Sequence, residues 1–208
     1  MICLNPGGRI DRGSGVGVIL RASMMKCPRC VQAIHRGAEE CPHCGFVLAD
    51  LDAAFGERAV AMERLNDGGG LLTRAGRDRV MRAMRGFERR FPQLWWLVYT
   101  LPTPWGGDLR QFGFWLMNRA ELVDVPVGRS RDACVVLTID PDIKAAALSW
   151  GYALDGHLGE DDTFVAMSRA HAYWVEARFD DGILRLIEEM SGILRARARR
   201  ARRRGGAA

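Results

Sequence analysis

The sequence predicts an α/β fold in which helices pack on both faces of a small mixed sheet, with a small cysteine-rich module in front of it. The main observation is the unbroken apolar run at 133–139, which is short and rich in Val and Ile. Such a run is typical of a strand that is covered on both faces. Turn residues at 140–142 and a second apolar segment at 145–150 follow it, so we expect a hairpin in the middle of the sheet.

The composition limits the protein to one sizeable core and a small module, because 208 residues with 48% hydrophobic content leave room for little more. The formal net charge is +5, but seven arginines lie after residue 194 and the rest of the chain carries −2. The basic character therefore belongs to the tail. No apolar run reaches the roughly 18 residues needed to span a bilayer. We therefore expect a cytoplasmic protein whose thiols stay reduced.

Shifts in composition divide the chain into five segments. These are a leader at 1–23 that we expect to be disordered, a zinc-ribbon candidate at 26–48, a linker helix at 49–66, an α/β domain at 67–192 and a basic tail at 193–208. The leader is rich in glycine and shows no periodicity. Met24 and Met25 directly precede the first cysteine motif, and one interpretation is that translation starts at one of them.

Two CPxC motifs define the cysteine-rich module, with ten residues between them. They contribute the thiols of Cys27, Cys30, Cys41 and Cys44. Two residues between thiolates allow one tight turn to direct both sulfurs at a single ion, and two such turns make a tetrahedral site. Four sulfur ligands leave no position for water, so the predicted zinc site is structural. Disulfides or buried thiols are the alternative. The module resembles the short zinc ribbons found at the front of many bacterial multidomain proteins.

The first half of the remaining chain predicts helix, helix and strand. Residues 48–65 have a loosely amphipathic helical pattern, which the glycine-rich stretch 66–70 interrupts. Thr73 is the expected N-cap of a second helix, which ends at Phe91. The β-branched and aromatic residues of 93–101 then predict a strand.

The second half predicts three more helices around the hairpin. Asp108 is the expected N-cap of a helix that runs to Arg119. After the hairpin, Asp161 or Asp162 is expected to cap a helix whose core-facing stripe consists of Phe164, Met167, His171 and Trp174. A last helix begins near residue 180 and continues into the tail. Trp105 and Trp115 could stack on a ligand, but packing in the core is the commoner role of such side chains.

Several motifs in this order resemble the TPM domain, a family that includes thylakoid acid-phosphatase-like proteins, photosystem repair factors and many bacterial envelope proteins. They are the 71–73 segment before a helix, the strand at 94–100, the Trp-bearing helix segment 115–118 and the hairpin exit, Gly151-Tyr152-Ala153-Leu154-Asp155, followed by 158–161. The likeness covers residues 66–190 and implies an α/β sandwich. Ala153 and Asp155 stand where many relatives have Gly and Glu.

The resemblance implies a weak phosphomonoesterase that uses a divalent cation in the α/β domain, in addition to the zinc of the ribbon. The candidate catalytic residues are Asp155, Asp161 and Asp162, at the exit of the hairpin. Asp140 and Asp142 lie at its opposite end, so one site cannot use both groups unless the strands bend. The alternative is that these acids are turn and cap residues.

Three functions are therefore open. We favour a binding or regulatory module with a protein partner, because no catalytic constellation is evident in the sequence. The phosphatase-like hydrolase is the first alternative. The second is association with nucleic acid through the ribbon and the basic tail, where nonspecific binding of a polyanion depends on Arg197, Arg199, Arg200, Arg202, Arg203 and Arg204.

Overall fold

The computed structural model describes residues 24–35, 37–57, 60–102, 108–126, 128–155 and 157–205. The leader at 1–23 and Trp105 lie outside these residues. The helices are α1 (Ala49–Phe55), α2 (Arg74–Arg90), α3 (Leu109–Arg119), α4 (Glu160–Val175) and α5 (Phe179–Gly205). The strands are β1 (Met24–Lys26), β2 (Ala33–His35), β3 (Val60–Met62), β4 (Leu65–Asp67), β5 (Trp95–Thr100), β6 (Ala120–Leu122), β7 (Cys134–Asp140) and β8 (Ala145–Trp150).

The main sheet has the strand order β4-β5-β7-β8. The first three strands are parallel to one another, and β8 pairs antiparallel with β7. This is the predicted mixed sheet with the predicted hairpin, whose register places Asp140 opposite Ala145 and Val135 opposite Trp150. Every residue of β7 is buried, as its unbroken apolar run indicated.

Helices cover both faces of this sheet, which confirms the predicted fold class. On one face, α3 lies against β5 and β7: the Thr138 hydroxyl donates to the Leu109 carbonyl over 3.2 Å, and the Tyr99 ring meets the Phe112 ring at 5.2 Å. On the other face, Phe87 of α2 packs edge-on against Trp96 of β5 at 5.6 Å. None of the described helices has the length and apolar content that a membrane crossing requires.

Two of the three predicted helix caps are confirmed, and the third differs. Thr73 accepts a hydrogen bond from the Gly76 amide at the start of α2, and Asp108 accepts from the Arg110 amide at the start of α3. At the start of α4, Asp162 does not occupy the cap position itself. Its carboxylate instead reaches back to accept from the amide of Gly159, which is the N-cap residue.

The predicted helix over 48–65 is wrong beyond Phe55. Gly56, with φ of 114°, ends α1 and donates its amide to the Asp52 carbonyl. The chain then forms β3, which pairs in parallel with β6, and β4, which joins the edge of the main sheet beside β5. Both strands have only three residues, and their partner strands lie far away in the sequence. The local hydrophobic periodicity therefore could not indicate β3 or β4.

The predicted core-facing stripe of α4 is wrong at two of its four positions. Phe164 is 73% exposed and His171 is also exposed, whereas Trp174 is buried as expected. The buried face consists of Thr163, Ala166, Ala170 and Trp174. The face of α4 that is buried consists mostly of small side chains, so the position of the large side chains did not identify it.

Candidate functional site: the cysteine cluster and the adjoining cleft

The four cysteines of the two CPxC motifs come together as a compact cluster. All four sulfurs lie within 4.8 Å of one another, with 3.7 Å between Cys27 and Cys44 and 3.7 Å between Cys30 and Cys41. Zinc–sulfur bonds of about 2.3 Å in a tetrahedron place neighbouring sulfurs about 3.8 Å apart. A disulfide would need about 2.05 Å. The cluster therefore has the geometry of a four-thiolate zinc site, and each cysteine is in its free form.

The two turns that carry the cysteines have the same backbone pattern. In the first, the Val31 amide donates to the Cys27 carbonyl over 3.0 Å, and in the second the Gly45 amide donates to the Cys41 carbonyl over 2.9 Å. Both residues have left-handed φ angles, 64° for Val31 and 68° for Gly45. Glycine adopts this conformation freely, but a β-branched residue there is a true outlier. The first turn is therefore strained at Val31.

Backbone amides point at the sulfurs, and hydrogen bonds from such amides stabilise the thiolate form of a cysteine. The Arg29 amide lies 3.4 Å from the Cys27 sulfur. Burial raises the pKa of the Cys27 thiol to about 12. For Cys41, burial also acts to raise the pKa, but the backbone amides of His43 and Cys44 together with the side chains of Cys30 and Cys44 lower the pKa to about 6. A bound cation favours the charged form of all four thiols.

The ribbon is attached to the α/β domain through a shared apolar contact. Ile34 and Phe46 are 1% and 0% exposed, and the Phe46 ring meets Phe114 of α3 at 6.0 Å. Next to this contact, the Asp52 carboxylate of α1 forms an ion pair with Arg119 of α3. The hydrogen bonds from Arg119 hold the pKa of Asp52 below its usual value. The module therefore packs against α3.

A cleft of about 450 Å³ separates the ribbon from the hairpin exit. The ribbon side contributes Lys26 and Val31, and the floor includes Phe114 of α3 with Leu148 and Trp150 of β8. An ion pair between Lys26 and Glu160, the first residue of α4, crosses from the ribbon to the domain beside the cleft. The cleft exists only because both modules supply a wall.

The hairpin exit passes this cleft, but the three candidate acids do not form one group. Asp155 lines the cleft, Asp161 is exposed, and Asp162 is engaged by the Gly159 amide and by Arg197. Asp140 is fully buried at the opposite end of the hairpin and accepts from the amide of the turn residue Asp142. Among the described residues, the four cysteines are the only cluster in which three or more potential ligands approach one another.

The basic tail is helical and continues α5 to Gly205. Arg197 forms an ion pair with Asp162 of α4 at 2.7 Å. The other tail arginines that were predicted to contact nucleic acid are exposed, namely Arg199, Arg200, Arg202 and Arg203. The side chain of Arg204 lies outside the described part of the chain.

Two features of the site were missed in the sequence. Val31 was not singled out, although aligning the two CPxC turns places it where the second turn has Gly45, which is a usable signal. Lys26 and Glu160 gave no signal at all. They are 134 positions apart, and only the docking of the ribbon brings them together.

Comparisons with known proteins show the fold of the chain but not its function. No family model matches the chain, and no curated protein matches it. Among solved structures, the BA42 protein from the psychrophilic bacterium Bizionia argentinensis is similar, with a TM-score of 0.51 and 12% identity over 61% of this chain and 83% of that one. The N-terminal domain of a P. gingivalis protein has a TM-score of 0.50 and 17% identity over 70% and 87%. The chain therefore shares its α/β fold with small bacterial domains.

Proposed function

We propose that this chain is a binding module of the TPM type, in which a zinc-bound ribbon forms one wall of a cleft for a segment of a protein partner. The observation that carries the proposal is the cleft between the ribbon and the hairpin exit. Its volume of about 450 Å³ lies in the range of sites that bind ligands. Zinc has a structural role here, because four thiolates leave it no open position.

Val31 is the strongest sign that the cleft is used. Its left-handed backbone costs about 1–3 kcal/mol, and glycine at the same position of the second turn avoids that cost. The Val31 side chain lines the cleft and is 39% exposed. Strained backbone conformations cluster at functional sites, which supports a role for Val31 in the cleft.

The chemistry of the cleft indicates the kind of segment that it accepts. Phe114, Leu148 and Trp150 make an apolar floor, and Lys26 with Glu160 places one charge of each sign at the edge. A large apolar side chain flanked by polar backbone would bury its surface on this floor and satisfy its amides at the edge. Such a site does not require the carboxylates of the exit to act as catalysts.

Photo-crosslinking from inside the cleft tests this proposal. A benzophenone amino acid replaces Val31 in one version of the protein and Val175 in the control. Val175 is 73% exposed and lies at the far end of α4, about 22 Å from the residue that contacts the ribbon. After irradiation in cells, we expect a discrete cross-linked product from position 31 and none of the same mass from position 175.

A second pair of variants distinguishes binding in the cleft from nonspecific cross-linking. Leu148→Glu places a charge on the cleft floor, whereas Ile143→Glu makes the same kind of change in the turn at the other end of the hairpin. We expect the first change to abolish the product from position 31 and the second to leave it intact, with both proteins folded by circular dichroism. Equal products from positions 31 and 175, or a product that survives Leu148→Glu, would refute the proposal.

A further inference from the structure

A second surface lies on the face of the sheet opposite the ribbon, where α2 and α5 run side by side in the same direction. Gly76 near the start of α2 lies against Asp180 near the start of α5, and Arg79 forms ion pairs with Asp180 and Asp181. Towards their C-terminal ends, the two helices border a groove of about 680 Å³. Its lining includes Arg89, Arg90 and Arg195.

The basic rim of this groove continues along the tail. Arg195, Arg199 and Arg202 follow one another at i, i+4 and i+7, so they lie on one face of α5, the face that borders the groove. The side chains of Arg89, Arg90, Arg199 and Arg202 are exposed and have no carboxylate partner among the described residues. Among the described residues, the Arg195 side chain donates to the Ser191 carbonyl over 3.2 Å.

These arginines differ from four others on the same two helices, namely Arg77, Arg79, Arg185 and Arg197, although Arg74, Arg82, Arg85, Arg200 and Arg203 likewise have no carboxylate partner among the described residues. Arg79 and Arg197 are held by carboxylates, which neutralise them within the protein. The one acid that lines the groove, Glu188, is paired with Arg185 at 3.2 Å. The groove and the tail face thus present five guanidinium groups whose charges the protein itself does not neutralise.

We propose that this surface binds double-stranded nucleic acid through its phosphates, without reading its sequence. Planar guanidinium groups bind phosphate oxygens in pairs, and rows of them neutralise successive phosphates of a backbone. The aromatic residue of the groove, Phe87, is 2% exposed and offers no face on which an unpaired base could stack.

The composition of the tail argues against an anionic membrane as the partner. Between Leu194 and Gly205 its only apolar side chains are those of alanine, so it has no large apolar group to insert into a bilayer. The ribbon contributes no lining residue to the groove. The nucleic-acid surface therefore consists of α2 and the tail.

The test uses the full chain and a fluorescent 20-base-pair DNA duplex of mixed sequence, with binding followed by anisotropy between 50 and 200 mM salt. With five phosphate contacts, a plot of the logarithm of the binding constant against the logarithm of the salt concentration should have a slope of about −4.5. Arg89→Gln with Arg90→Gln should reduce this slope to about −2.7 and weaken binding at least about tenfold at 100 mM salt. The control, Arg74→Gln with Arg77→Gln, removes two positive charges about 18 Å or more away along α2, one of them already paired with Glu63, and should leave the slope unchanged.

Each outcome bears on the proposal. Deletion of 195–208 should abolish binding, and a scrambled duplex should bind as well as the original. If the two double variants weaken binding equally, net charge alone is responsible and the proposed surface is wrong. If the Arg89 and Arg90 changes have no effect while the deletion does, the tail acts without α2 and the groove plays no part. Binding to phosphatidylserine vesicles as tight as binding to DNA would also overturn it.

Discussion

The hairpin exit depends on the absence of a side chain at Gly151, and this can be tested by adding one methyl group. The backbone there has φ of −81° and ψ of 169°, which any residue adopts, so alanine meets no conformational penalty. A Cβ at this position would lie 2.3 Å from the carbonyl oxygen of Asp132 and 2.4 Å from its carbonyl carbon. Real Cβ contacts essentially never fall below 3.0 Å, so the two backbone segments must separate by at least about 0.7 Å.

Neither segment can move freely, because the Gly151 amide donates to the Cys134 carbonyl at the start of the buried strand β7. Overpacking of this kind costs about 3 kcal/mol, the upper end of the usual range. For a protein of this size, Gly151→Ala should therefore lower the Tm by about 6–12 °C. Gly192→Ala is the matched control. It lies within α5 with nothing inside 4 Å of its Cβ, so it should raise the Tm by about 2–4 °C.

Thermal melts followed by circular dichroism, with zinc in excess, measure both changes. The opposite signs expected for one and the same chemical change exclude a general effect of replacing glycine. A Gly151→Ala protein that melts within about 2 °C of the parent would refute the steric argument, and with it the claim that the exit is held against the segment at Asp132.

Three further predictions concern the ribbon and its attachment. Gly45→Val places a β-branched residue in a left-handed turn with nothing inside 4 Å, so it should weaken zinc affinity by about 5- to 150-fold in a chelator competition, and an unchanged affinity would contradict it. Chelation should remove about one zinc per chain and expose the amides of 26–48 to hydrogen exchange while β7 stays protected, and protection of 26–48 that survives metal loss would contradict the structural role of zinc. Asp52→Asn should cost about 1–3 kcal/mol near neutral pH, because it breaks the hydrogen bonds with Arg119. Those bonds lower the pKa of Asp52 in the folded state. The difference in the free energy of urea unfolding between parent and variant should therefore have its full size above pH 3.8 and shrink as the pH falls below that value. A difference that does not change with pH would contradict this cause.

The elements that were predicted correctly all have a local cause. The run of β7 showed burial on both faces through its own composition, and Thr73 and Asp108 marked helix starts through side chains that reach amides two or three positions away. The cysteine cluster belongs to the same class. Two residues between thiols fix the geometry within each turn, so the spacing alone indicated which sulfurs would meet.

The features that were missed depend on contacts between distant parts of the chain. Strand β4 has only three residues and becomes a strand because β5 is beside it, about 30 positions later. In α4, the packed face is made of small residues because α5 comes close, and Phe164 is left outside. Neither event is visible in a periodic pattern, since both depend on which element packs against which.

The cleft belongs to this second class, which explains why the sequence pointed to the exit without saying what it does. The likeness to a known family and the acids of the exit suggested chemistry at Asp155, Asp161 and Asp162, but two of these side chains do not line the cleft. In the folded protein, the ribbon forms a wall opposite the hairpin exit. Phe46 packs the ribbon against α3, and Lys26 forms an ion pair with α4. That wall is built around the four cysteines. The proposed zinc would therefore shape the cleft only by keeping the ribbon folded, without contacting the bound segment.

The arginine groove lies on the other face of the sheet and shares no lining residue with the cleft. Loss of metal should therefore affect the partner site while nucleic-acid binding persists.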